Sequence, residues 1–179
     1  MGHGGLALPA AIHPKRSRPM PEPLPSPNLN DLEEQPGHLI RRAQQISVSM
    51  FHETLGRDVT PVQYAVLRAL LEHPGIDQVT LASEAALDTS TAADTAARLE
   101  AKGWIAREVL ARGQRSLSLT PAGQAVLAGL EDGIVAMRDT LLGRFDPPEQ
   151  VEFMRLLRKF VQLNNERSRA PLRRGAARG

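Results

Sequence analysis

Between residues 88 and 120 the chain reads DTSTAADTAARLEAKGWIAREVLARGQRSLSLT, and its polar side chains are of kinds that meet nucleic acid. Thr89, Ser90 and Thr91 are consecutive hydroxyls able to donate to or accept from base edges, and Asp94, a turn further on, can accept from a cytosine amine. Arg98 follows at helical spacing and suits a phosphate better than a base. Thr95 joins this polar set, although it also falls on a narrow stripe with Ala92, Ala96 and Leu99. Beyond them, Arg112 and Arg115 sit in the turn ARGQR, where a cation can reach a phosphate or a minor groove. Taken alone, the segment reads equally as an ordinary surface helix, and Asp94 equally as a surface charge, since phosphates repel a carboxylate.

These side chains need a scaffold, and the surrounding residues spell one. Asp88 is a cap for a helix rich in alanine, and Lys102-Gly103 is its stop. Before it, Thr80 is expected to cap a brief helix, LASEAAL, preceded by one small strand over 76–79. Helix, short turn and helix with a polar leading face is the helix-turn-helix order. Strands at about 105–110 and 116–119 then make a hairpin wing around ARGQR. Upstream, Thr60-Pro61-Val62-Gln63 combines an N-cap, a proline at the first helical position and a capping box. The helix it opens, QYAVLRALLEH, is apolar nearly all round and must be sandwiched.

Two further regions flank this lobe. From 37 to 55, Ile40, Ala43, Ser47, Met50, Phe51 and Thr54 share a face, with Gln44 at its edge. Downstream, Thr120-Pro121 opens a long apolar-striped helix, and Asp146-Pro147-Pro148-Glu149 opens a last one that is apolar on two sides. A terminal helix with that much to bury points to self-association, most economically as a twofold dimer.

Composition narrows the chemistry. The 179 residues include no cysteine, which excludes disulfides, thiolate metal sites and cysteine nucleophiles. Net charge is only +2, but Arg167, Arg169, Arg173, Arg174 and Arg178 crowd the end of the chain. Residues 1–36 hold eight of the fourteen prolines and read as a disordered Pro/Gly-rich arm, and 166–179 as a basic disordered tail. No apolar run approaches the ~20 residues that span a bilayer, so a cytoplasmic protein is expected. His38, His52 and His73 lack the pairing of a metal site, and no cofactor is expected. There is no Gly-rich phosphate loop or nucleophile elbow, and His52-Glu53 lacks the second histidine of a zinc protease motif, so the chain does not read as an enzyme.

The pieces TPVQYAVL at 60–67, LA at 81–82, STAADTAARLEAKGWI at 90–105, Arg107 and SLTPAG at 118–123 together resemble the MarR-type winged helix-turn-helix regulators, over about residues 38–165. The fold expected is mainly α with a small β-hairpin wing: a DNA-binding lobe over 60–120 and a helical dimerisation lobe from 37–56 and 121–165. The resemblance implies a ligand-responsive regulator, usually a repressor, that binds a pseudo-palindromic operator as a homodimer. Many relatives release DNA on binding a small aromatic acid. Here a hydroxylated aromatic or pyridine carboxylate is the effector expected by analogy. Gln44 and Ser47 facing inward beside Phe51, with Tyr64, would line its pocket, while His38 and Arg41 would meet its carboxylate. One departure stands out. The family wing carries Asp-x-Arg near its tip, whereas this shorter wing has no Asp, leaving Arg112 expected at the tip and Arg115 as the structural or phosphate contact. A winged-helix adaptor that binds proteins rather than specific DNA is the alternative.

Overall fold

The computed structural model describes residues 30–109 and 115–172, with Met1, Ser26 and Asn28. The wing tip with Arg112 therefore lies outside the described residues, as does most of the expected N-terminal arm and the tail from 173 onward. The chain divides into two units, Met1–Leu39 and Ile40–Gly179. In the first, Asp31 accepts from the Glu33 amide at 2.9 Å and caps a one-turn 3-10 helix, Leu32–Glu34. The long helix α1, Pro36–Leu55, begins at a proline within the span expected to be disordered, because proline at a first helical position loses no hydrogen bond.

The second unit is built around α2, Pro61–Glu72. Its start is fixed locally: the Thr60 hydroxyl accepts from the Gln63 amide and the Gln63 side chain accepts from the Thr60 amide, both at 3.2 Å. Its length is fixed by packing. Val66, Leu67 and Leu70 are fully enclosed, and they meet Leu81, Ala96, Leu99, Ile105, Leu117 and Leu127 in one core. Those partners come from α3 (Gln78–Glu84), α4 (Thr89–Ala101), β1 (Ile105–Val109), β2 (Arg115–Leu119) and α5 (Pro121–Leu142). The apolar helix is thus covered along the face of Val66, Leu67 and Leu70, while Val62 and Leu71 stay exposed.

The hairpin pairs Ile105 with Leu119 and Val109 with Arg115, antiparallel. The small strand expected over 76–79 shrinks to a single bridge between Ile76 and Leu117. The reason is the next residue. Asp77 accepts from the Val79 and Thr80 amides at 2.8 and 2.9 Å, so the helix starts at Gln78. Thr80, expected as the cap, instead donates its hydroxyl to Asp77 at 3.0 Å. An ionised acceptor three residues earlier wins the position. Between α3 and α4 the chain turns through Ala86 at φ 53, a left-handed conformation that costs a β-carbon residue about 1–2 kcal/mol. It permits the Leu87 amide to reach back to the Ala82 carbonyl at 2.8 Å.

At the far side of the wing, Thr120 caps α5 and donates its hydroxyl to the Gly103 carbonyl at 2.6 Å. Helix α6, Pro147–Asn164, starts on the Asp146–Glu149 capping box. Among its described residues none is buried, and Phe153, Leu156, Phe160, Val161 and Leu163 are exposed. The chain then turns back. Asn165 accepts from the Leu172 amide at 2.8 Å and donates to the Leu172 carbonyl at 3.2 Å, so residues 166–172, expected to be disordered, carry a defined turn. A side-chain amide that mimics a backbone pairing is a local device that composition does not reveal.

Candidate nucleic-acid interface

Helix α4 presents one face to the core and the other outward. Ala92, Thr95, Ala96 and Leu99 are buried, while Thr89, Ser90, Asp94 and Arg98 are exposed and Thr91 is half-buried. Thr95 is the correction to the expected DNA-contacting set. At 8% exposure it belongs to the packed stripe, because its position repeats with Ala92 and Leu99 at helical spacing. The leading face is therefore made of hydroxyls followed by one carboxylate and one guanidinium.

That face is held by Asp88. Its Oδ1 accepts from the Ser90 hydroxyl at 2.5 Å and the Thr91 amide at 2.9 Å, and its Oδ2 from the Thr91 hydroxyl at 2.8 Å. These bonds, the Ser90 hydroxyl foremost, hold the carboxyl far below the ordinary carboxylate range, with a smaller contribution from the charge of Arg169. A depressed carboxylate stabilises the fold fully above its unfolded value near 3.8 and loses that contribution as pH falls through the folded value, so at neutral pH the cap is an anion. Sequence reasoning gave Asp88 only the cap. The Asp-x-Ser-Thr spacing carried the signal for the rest.

Behind the helix, Lys102 donates to the Asp58 carbonyl at 2.6 Å and lies 4.3 Å over the Trp104 ring. Arg107 on β1 pairs with Glu100 of α4 at 3.4 Å, tying the base of the wing to the helix. Arg115, at the outer end of β2, is exposed.

The residues expected to hold a small ligand divide. Phe51 is buried, and its ring meets Tyr64 edge-on with centroids 6.2 Å apart. Ser47, one turn before Phe51, is half-buried. Gln44, expected to face inward, is exposed. With Arg41, Gln45, Val48 and Ser49 it borders a shallow groove on α1, where Arg41 donates to Gln45 at 3.0 Å. This half of α1 has no inner surface of its own unit against it, so the edge of the predicted stripe stays in solvent. His38 belongs to the first unit. Among the described residues no group of three or more His, Asp or Glu is placed to hold a metal, and no helix is long and apolar enough to cross a membrane.

Comparison with known proteins gives this geometry its context. A family model described as MarR family matches residues 59–116, the stretch from just before α2 into the wing. The transcriptional regulator HosA of Escherichia coli O127:H6 is 36% identical over 126 residues, covering 69% of this chain and 93% of HosA. Among solved structures, the PcaV transcriptional regulator from Streptomyces coelicolor, in complex with its natural ligand, superposes with a TM-score of 0.69 at 34% identity, covering 74% of this chain and 95% of PcaV. Bordetella bronchiseptica BpsR, whose DNA binding is regulated by 6-hydroxynicotinic acid, matches with a TM-score of 0.69 at 30% identity, covering 74% of this chain and 97% of BpsR.

Proposed function

This chain belongs to the MarR family of transcriptional regulators, and from that premise we propose that it is a homodimeric repressor of a pseudo-palindromic operator, released by a small aromatic carboxylate. The observation that carries the DNA reading is the outward face of α4, where exposed Thr89, Ser90, Asp94 and Arg98 lie ahead of a basic hairpin and the only apolar side chain exposed among them is the small Ala97. In this reading the first turn of α4 enters the major groove, Arg98 clamps a phosphate, and the wing arginines follow the backbone. The exposed apolar residues of α6, with Ile40, Ile46 and Val48 of α1, supply the dimer surface.

Titrating purified protein against a duplex selected from its own genome at several salt concentrations tests this. Specific binding tighter than the non-specific level of about 10⁻⁴–10⁻⁶ M at physiological salt supports the repressor, while binding confined to that level favours a protein-binding adaptor. Replacing Arg115 by alanine is expected to weaken binding to all sequences alike and to flatten the salt slope by roughly 1. An unchanged slope removes Arg115 from the contact.

For the effector, the regulation of BpsR by 6-hydroxynicotinic acid supports a hydroxylated pyridine carboxylate or a similar aromatic acid. The Phe51–Tyr64 pair offers ring contact, Ser47 a hydroxyl, and Arg41 a cation toward the carboxylate. Ligand acts by preferring a spacing of the two DNA-binding lobes that does not match successive grooves. Moving the population from nearly all bound to nearly all released needs about 5.5 kcal/mol of differential affinity. A panel of hydroxylated aromatic and pyridine acids is expected to contain one that raises the melting temperature and releases the operator together. A panel in which no acid does both removes the pocket.

A further inference from the structure

Ser90 and Thr91 each have one hydroxyl proton and two lone pairs, so each can meet a base as donor or acceptor unless something else holds the proton. In this chain something does. Both hydroxyls lie within hydrogen-bond distance of one carboxylate, at 2.5 Å for Ser90 and 2.8 Å for Thr91, on different oxygens of Asp88. The direction of those bonds follows from chemistry rather than from hydrogen positions. An ionised carboxylate has no proton to give, so each hydroxyl must donate. The same carboxylate also accepts the Thr91 amide at 2.9 Å. Hydroxyl–carboxylate bonds of this length are charge-assisted and about twice as strong as neutral ones.

We propose that Asp88 is a positioning residue for base readout: it takes the hydroxyl protons of Ser90 and Thr91 and so presents both side chains to the groove as acceptors. The inference rests on the proposed entry of α4 into the major groove and specifies what that helix selects. An acceptor-only pair matches base edges that offer an amine, adenine N6 or cytosine N4. It mismatches guanine O6 and N7 and thymine O4, which are acceptors themselves. Meeting one of those bases would require a hydroxyl to leave Asp88, at a cost of roughly ten- to a hundred-fold in affinity. Asp94, the next polar group on the exposed face, is also acceptor-only as a carboxylate, so Ser90, Thr91 and Asp94 share one polarity. Thr89 has no such anchor among the bonds of the described residues and stays free to donate.

The test is a base-preference profile over every position of one operator half-site, measured by competition with the full-length protein. The wild type is expected to prefer adenine or cytosine over guanine and thymine by about ten-fold or more on the contacted strand at one or two positions. Those positions are identified as the ones whose preference disappears in Ser90→Ala with Thr91→Val, a variant that keeps the cap intact. In Asp88→Asn the amide still caps the helix but offers a donor in place of one acceptor. It is expected to reduce discrimination at those same positions to within about three-fold, with other positions and the salt slope unchanged. An Asp88→Asn profile identical to wild type overturns the proposal, as does a wild-type preference for guanine or thymine at the Ser90- and Thr91-dependent positions. A wild type with no base preference anywhere overturns the groove reading itself, and this inference with it.

Discussion

Leu156→Glu combined with Phe160→Glu is expected to leave a folded chain that sediments as a monomer and has lost about a thousand-fold or more in operator affinity. Both side chains lie on α6, one turn apart, and each is 49% exposed in the single chain. Around them Phe153, Val161 and Leu163 are exposed as well, and exposed apolar side chains gathered on one helix mark an interaction surface. Burying such side chains against a second copy contributes roughly 1.5–3 kcal/mol each, whereas a glutamate placed there meets no partner charge and resists desolvation. The proposed operator complex needs two lobes on successive grooves. A monomer keeps one half-site and falls toward non-specific affinity, a drop of at least roughly 10³. Analytical ultracentrifugation and duplex titration on the same sample check it. A variant that remains dimeric places the interface elsewhere.

Gly123→Ala is expected to lower stability by about 3 kcal/mol, at the upper end of what overpacking a core costs. Gly123 is buried in the first turn of α5, and a β-carbon there would stand 2.0 Å from the Trp104 carbonyl oxygen and 2.9 Å from its carbon. Both are backbone atoms, so no side-chain rotation relieves the overlap. The same carbonyl accepts from the Thr120 amide at 3.0 Å, and the Thr120 hydroxyl bonds Gly103, so a displaced α5 also loosens the turn from α4 into the wing. For a chain of this size the melting temperature should fall by roughly 6–12 °C. Gly75→Ala is a useful contrast, since nothing lies within 4 Å of its added β-carbon and only its positive φ resists the change. Equal melting temperatures for Gly123→Ala and wild type would mean that α5 does not seat on Trp104 as described.

The parts of this fold that the sequence announced are those decided within a few residues. Thr60 with Gln63, Asp146 with Glu149, and Thr120 before Pro121 each satisfy helix-end groups from the next turn, and each helix starts where those residues say. The helix-turn-helix order and the wing were legible for the same reason, because Lys102-Gly103 stops α4 and the hairpin begins two residues later. Competition between neighbours was harder to read. Asp77 and Thr80 are both good caps three residues apart, and only the charge of the first decides between them. Thr95 is chemically at home in either a groove or a core, and its place on the stripe with Ala92 and Leu99 settles it as core. Gln44 failed for a different reason. Its burial was inferred from a helical stripe, but a stripe says only that a face seeks cover, not that the same chain provides it. The Phe51–Tyr64 contact was within reach because both residues sit on faces their own unit covers.

Two copies of α4 reading two half-sites at once make operator affinity depend on the half-site spacing. After an operator has been selected from genomic DNA, affinity is measured for that duplex and for one in which about 5 bp, half a helical turn, is inserted between the half-sites. The insertion rotates one half-site to the opposite side of the duplex while preserving every base. With both copies engaged on the operator, affinity for the inserted duplex is expected to fall to the level of a single half-site. Equal affinity for both duplexes would contradict it.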